Sequence, residues 1–311
     1  MIRIDEISKQ FGDFTALSKL SLHVKKGEFY SLLGPNGAGK TTCINIISNI
    51  TKASSGSVQI DGLDSLSNSQ EIKKKIGVVP QEIALYDDLS AIENLNFWGK
   101  INGVSTSVLK GRIEETLRFL DLYEQRNQKI QSYSGGMKRR INIAAALLHQ
   151  PEVLFMDEPT VGIDPQSRLF TYEIFEKLHK QGKTIFYTSH NMEEVECLSD
   201  RIGIIDHGKL IAEGSLKDLK QQLSLEETLH ISLEHQENIS EERINKIFSE
   251  ANWKYKFHQG ELFISTKNAT HDLVSILQLL SKSHVEVQSA EVRKVNLEMI
   301  FLELTGKKLR E

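Results

Sequence analysis

The sequence predicts an α/β layered domain followed by a smaller α+β domain. From Met1 to about Lys220, short β-branched runs alternate with longer amphipathic segments, the pattern of strands separated by helices. Two of those runs, VLFMD at 153–157 and TIFYT at 184–188, are nearly all apolar or β-branched, as parallel strands covered on both faces are. Near SLKDLKQQLSLEE, at 215–227, the pattern breaks and the elements shorten.

Taken in order, the first domain spans 1–223 with expected strands Leu20–Val24, Phe29–Leu33, Ile76–Val79, Val153–Asp157, Thr184–Thr188 and Ile202–Asp206. A helical subdomain is expected over about 83–150. The second domain, 224–311, reads as strand Leu229–Leu233, helix Glu241–Ala251, a strand pair around His258–Glu261, helix His271–Ser281 and strand Val285–Val292. That βαββαβ order is the ferredoxin-like arrangement. A last helix puts Leu297, Ile300, Phe301 and Leu304 on one face and ends at Gly306, a left-handed cap.

Composition narrows the function classes. The chain has 311 residues, 39% hydrophobic and 26% charged, with a net charge of −4. That length suits two domains, and nothing global draws the chain to nucleic acid or to an anionic membrane surface. Cys43 and Cys197 lie far apart without metal-ligand spacing and read as inert core residues of a reduced, cytosolic protein. MIRIDEISKQFGDF lacks the apolar run of a signal peptide, and no stretch approaches the ~20 apolar residues of a membrane span. His230, His235, His258, His271 and His284 also lack ligand spacing and read as ordinary polar residues.

The chemistry begins at FYSLLGPNGAGKTTCINII, an apolar strand running into a helix with Gly34-x4-Gly39-Lys40-Thr41 at the joint. This is a phosphate-binding loop in its strand–loop–helix context. Gly34, Asn36, Gly37, Ala38 and Gly39 let the backbone wrap an anion, and the amides of Thr41 and Thr42 open the helix beneath it. Lys40 is expected to reach the β- and γ-phosphates, and the Thr41 hydroxyl to ligate Mg²⁺. VLFMDEP then ends a buried strand in Asp157 and Glu158, at the edge where open α/β sheets place ligands. Asp157 fits a Mg²⁺ ligand, and Glu158 a general base for an attacking water. The domain is expected to bind and hydrolyse a nucleoside triphosphate.

A second stretch, QSYSGGMKRR at 131–140, has two readings. Lys138, Arg139 and Arg140 beside two glycines suit a basic patch or a capped surface helix with solvated cations. Alternatively, Ser134 caps a helix whose first amides, uncovered at Gly135 and Gly136, hold one phosphate group.

The ordered set resolves that choice. The phosphate loop, Gln81 in VVPQE, SGG at 134–136, DEP at 157–159, Asp164 in VGIDP and His190 in YTSH resemble, in order and spacing, the ATP-binding-cassette (ABC) ATPases. The resemblance covers about residues 1–220. It implies a P-loop ATPase cassette with ATP and Mg²⁺ as ligands, working as a head-to-tail dimer. Ser134, Gly135 and Gly136 would then contact ATP held by the partner copy's loop. Gln81 would sense the γ-phosphate and Mg²⁺, His190 would contact the γ-phosphate, and Asp164 would couple the two sites. Phe11 stands where the family places an aromatic under adenine, commonly tyrosine. YSGGM departs from the commonest LSGGQ at Met137, and Ile163 replaces a usual leucine. No catalytic position is degenerate, so a homodimer with two equivalent sites is implied.

LYDDLSAIENLNFWGKINGV at 85–104, YSGGMKRR and NLEMIFLELTG at 296–306 resemble the subgroup that serves drug, lipid and polysaccharide exporters. Their permeases are separate polytopic chains. The resemblance therefore implies a peripheral subunit on the cytoplasmic face of the membrane, with no nucleic-acid partner. The alternative is a soluble regulatory ATPase of the same superfamily, for example ribosome-associated. Phe97 and Trp98 either line a groove for the permease or pack within the helical subdomain. The C-terminal domain carries no catalytic constellation and is expected to serve dimerisation or regulation.

Overall fold

The computed structural model describes residues 1–223, 226–234, 240–248, 253–258 and 260–306. Two compact units form, the first spanning Met1–Leu216 and the second beginning at Lys217, where the sequence placed the boundary at 223/224.

The first unit opens with β1 (Ile2–Phe11), β2 (Phe14–Val24) and β3 (Phe29–Leu33), followed by α1 (Lys40–Ile47). Next come β4 (Ser55–Ile60), β5 (Leu63–Asp64), α2 (Ser69–Lys75) and β6 (Ile76–Val79). Helices α3 (Ala91–Ile101), α4 (Thr106–Phe119) and α5 (Gly135–Leu147) follow. The unit closes through β7 (Val153–Asp157), α6 (Pro165–Lys180), β8 (Thr184–Ser189), α7 (Met192–Leu198), β9 (Arg201–Asp206) and β10 (Lys209–Gly214).

Its main sheet has the order β10-β9-β3-β8-β7-β6. The strands from β9 to β6 are parallel, and β10 is an antiparallel edge. Strands β3, β7 and β8 are buried at every position, which is why their sequences are apolar without alternation. A second sheet, β2-β1-β4-β5, is antiparallel and was not foreseen beyond the end of β2. The reason is a bulge. Ile2, Ile4 and Ile7 are all buried, but the register shifts between Ile4 and Ile7, and Glu6 takes a left-handed φ of 47°. The bulge breaks the two-residue alternation that would otherwise reveal a half-buried strand.

Helices α3–α5 share one core with Leu95, Leu109, Ile113, Leu117 and Ile141. Ser90 caps α3 through a reciprocal capping box with Glu93. Gly99 lets α4 approach closely, since a methyl there would overlap Leu109. Cys43 is buried as expected, but Cys197 is exposed on the outer side of α7.

Helix α8 (Leu216–Gln222) leads to β11 (Glu227–Leu233), α9 (Glu241–Phe248), β12 (Lys254–His258), β13 (Glu261–Thr266), α10 (Ala269–Lys282), β14 (Val287–Arg293) and α11 (Leu297–Thr305). The sheet order is β12-β13-β11-β14 and every pairing is antiparallel, as the ferredoxin-like chain order requires. Leu229, Ile231, Leu262 and Ile264 on one face pack with Ile244, Phe248, Ile276 and Leu280 of the two helices. Gly306 caps α11 at φ 65°. His235, Gln259 and the end expected for the first helix of this unit lie outside the described residues.

Candidate active site

The strand order delivers the site. Strands β3, β8, β7 and β6 are parallel neighbours, so their carboxyl ends lie along one edge. Lys40 follows β3, His190 follows β8, Glu158 follows β7 and Gln81 follows β6. Four segments distant in sequence thereby meet over one carboxylate.

That carboxylate is Glu158. Lys40 Nζ lies 3.0 Å from its Oε1, while Oε2 receives Gln81 Nε2 at 3.3 Å and faces His190 Nδ1 at 3.1 Å. Lys40 also donates to the carbonyls of Gly34 at 2.7 Å and Pro35 at 3.0 Å. Lys40 and Glu158 are buried, His190 is half-buried and Gln81 is exposed. Glu158 itself sits at φ 42°, unusual for a residue with a long side chain, and its amide donates to Thr188 O and Oγ1. Backbone strain of this kind persists where surrounding hydrogen bonds over-determine it, and it clusters at functional sites.

Asp157 lies one residue back and is also buried. Burial pushes its carboxyl above the ordinary range, opposed by hydrogen bonds from Thr188, at 2.6 Å, and from Thr41. The Asp157 carboxylate and the Thr41 hydroxyl thus form a pair of hard oxygen donors, a set that suits Mg²⁺. A dication would also offset the cost of ionising a buried acid.

The glycines of the loop answer two steric demands. Gly34 abuts the backbone of β9, where a methyl would overlap the Ile205 carbonyl. Gly39 adopts φ 108° and packs against the Ala16 carbonyl. Asn36 and Gly37 form the exposed tip, Ala38 is buried below it, and Thr41 and Thr42 stand in the first turn of α1. Phe11 is 53% exposed at the β1–β2 hairpin, with Lys9 Nζ 4.9 Å from its ring centre.

The SGG segment forms a separate group with Asp164. Ser134 caps α5 by accepting from Met137 N, and it is exposed together with Gly135. Gly136 differs from expectation. It is buried against α6, and a methyl there would overlap Ser167. Asp164 caps α6 by accepting from Ser167 N at 2.9 Å, so the two helix starts abut at Ser167.

The three cations after SGG are each held by a group of this same chain. Arg139 is buried and donates to the carbonyls of Pro80 and Gln81 at 2.8 and 2.6 Å. Arg140 bonds Leu120 O and lies over Phe170, and Lys138 pairs with Asp87 at 2.8 Å. The helix that starts at Ser134 therefore grips the segment that carries Gln81. Sequence reasoning missed Arg139 in this role, and also Thr188, the polar residue inside a strand buried at every position.

Beside the Gln81 segment lies a groove of about 690 Å³ lined by Ile50, Ile76, Val78, Pro80, Trp98 and Ile101, with Lys73 and Lys74 among its polar lining. Trp98 lines it and donates to Ala84 O at 3.0 Å, whereas Phe97 packs edge-on against Tyr86 and Trp98.

Residues 17–161 match the ABC transporter family. The linearmycin resistance ATP-binding protein LnrL of Bacillus subtilis is 45% identical over 314 residues, covering 100% of both chains. This chain belongs to the ATP-binding proteins of ABC transporters. A second relative, the daunorubicin resistance ATP-binding protein DrrA3 of Streptomyces coeruleorubidus, is 30% identical over 98% of this chain and 96% of that protein. Among solved structures, a dimeric ATP-binding cassette in a post-hydrolysis state with ADP and Pi superposes with a TM-score of 0.63. It is 29% identical, covering 70% of this chain and 99% of the other. The ABC protein described here is an ATP-hydrolysing transporter subunit with a P-loop ATPase cassette. No helix among its described residues is long and apolar enough to cross a membrane.

Proposed function

We propose that this ABC protein powers export through a separate membrane permease, working as a homodimer at the cytoplasmic face. The observation that carries the reading is the convergence of Lys40, Gln81 and His190 on Glu158. The names of relatives, which concern linearmycin resistance, daunorubicin resistance and Nod factor export, supply the direction. They also count against the soluble regulatory alternative.

In this reading the backbone of Gly34, Asn36, Gly37, Ala38 and Gly39 cradles the ATP phosphates, and Phe11 stacks on adenine. Lys40 moves from Glu158 to the β- and γ-phosphates, which releases the carboxylate for chemistry. Thr41 and Asp157, with Gln81, would hold Mg²⁺, which would supply positive charge to the phosphate oxygens. Glu158 takes a proton from water as the water oxygen attacks the γ-phosphorus. The bond to the bridging β–γ oxygen breaks, leaving ADP and phosphate, and His190 steadies the γ-phosphoryl oxygens. Ser134, Gly135 and Gly136 of a second copy close over the γ-phosphate, and Asp164 links the two sites.

The groove beside Trp98 suits a short helix of the permease with an apolar face, and movement there would reach Gln81 through Arg139. The test is co-purification of tagged Glu158→Gln protein, with ATP and Mg²⁺, from detergent-solubilised membranes of the native host. Stoichiometric recovery of a polytopic membrane protein is expected. Recovery of ribosomal or other soluble partners in its place would overturn the export reading and leave the ATPase intact.

A further inference from the structure

Behind the Glu158–His190 pair lies a further buried carboxylate, one to which the proposed hydrolysis assigns no part. Glu194, on α7, is 3% exposed. Its oxygens accept from Thr160 Oγ1 at 2.8 and 2.9 Å, Tyr187 OH at 2.7 Å and Ser189 Oγ at 3.0 Å. Arg168 Nε of α6 lies 3.8 Å away, and Tyr172 of the same helix also hydrogen-bonds to it. A buried acid is tolerated when donors surround it, and every one of these partners can donate.

The placement of those donors is specific. Thr160 is two residues beyond Glu158, and Ser189 immediately precedes His190. Ser189 Oγ also accepts from the amide of Asn191, so both neighbours of His190 in the chain are anchored to the same cluster. Asn191 in turn caps α7, the helix that carries Glu194, by accepting from the amides of Glu193 and Glu194. One carboxylate therefore holds, from the interior side, the two segments whose side chains meet at 3.1 Å on the outer side. Arg168 and Tyr172 extend the cluster to the helix that Asp164 caps.

We propose that Glu194 is a positioning residue for ATP hydrolysis, fixing the segments of Glu158 and His190 so that base and histidine stay in register, and linking that pair to the helix of Asp164. Glu194 touches neither side chain directly. It acts through Thr160 on one and through Ser189 on the other. The inference rests on the reading of Glu158 and His190 given above.

The test is steady-state ATP turnover by the full chain carrying Glu194→Ala, His190→Ala and both. Loss of Glu194 is expected to lower kcat at least about ten-fold, since misplacement by an ångström costs that much or more. KM for ATP should change by less than about two-fold, because the phosphate loop is untouched. Since Glu194 acts on His190 as well as on Glu158, the double variant should lose less turnover than the product of the two single losses, whereas an unrelated structural effect would multiply in full. Glu194→Gln and Ser189→Ala, which keep the packing volume, are read in the same cycle should Glu194→Ala fail to fold. A kcat within about two-fold of wild type in the folded Glu194 and Ser189 variants, or full multiplication with His190→Ala, would overturn the proposal. If His190→Ala and Glu158→Gln themselves leave turnover unchanged, the reading of the site fails first, and these single variants separate that failure from this one.

Discussion

At the scale of residues, Asp157 makes the conflict between stability and chemistry explicit. Its carboxyl is raised by burial, so in the nucleotide-free protein it favours folding when protonated. That contribution is fully present below the unfolded-state value of about 3.9 and is lost as pH rises through the raised folded value. At pH 7 the ionised carboxylate therefore costs stability. Asp157→Asn should raise the melting temperature of the nucleotide-free chain at pH 7, with the gain shrinking as pH falls, while Mg²⁺-dependent turnover is lost. Thermal melts at several pH values check this, and a lower melting temperature at pH 7 would contradict it. Lys40, Asp157, Glu158 and Gln81 were legible because each follows a strand in a recognisable motif. Glu194 and Thr160 were not, because their function depends on a contact 34 positions apart that no local pattern records.

At the scale of elements, the start of α5 is the informative joint. The sequence disclosed the Ser134 cap and the apolar face of the helix, but not that Gly136 is a packing residue. A methyl at 136 would overlap Ser167, so Gly136→Ala should lower stability by about 1–3 kcal/mol, the usual cost of overpacking. Ser167→Gly should restore part of that loss by making room, and chemical denaturation of the single and double variants would show it. Further along α5, Arg139 reads in the sequence as one of three surface cations. Its guanidinium satisfies two carbonyls of the Gln81 segment, and burial lowers its pKa without removing its charge. Arg139→Met should leave α5 folded but loosen Gln81, reducing kcat more than ATP affinity. Equal loss of both would argue against a coupling role. The antiparallel sheet was invisible for a related reason, since the bulge at Glu6 erased the alternation that marks a strand.

At the scale of the whole molecule, the two groups of site residues are presented separately. Lys40, Gln81, Asp157, Glu158 and His190 gather at the strand ends, while Ser134, Gly135, Gly136 and Asp164 gather where α5 meets α6. A single copy would then hold the phosphates and the base, and a second copy would supply the SGG segment. The unit beginning at Lys217 has its own core and none of these residues. A chain ending at Leu216 should accordingly retain ATP binding, measurable by nucleotide fluorescence, and loss of binding by the folded fragment would refute that independence. The order of motifs along the chain anticipated this division, because it resembles that of a family whose site is expected to be shared between two copies. The most direct test of the shared site is the light-scattering mass of the Glu158→Gln protein with and without ATP and Mg²⁺. The mass of one chain is expected without nucleotide and of two with it. A protein that binds ATP and remains a single chain would contradict that expectation.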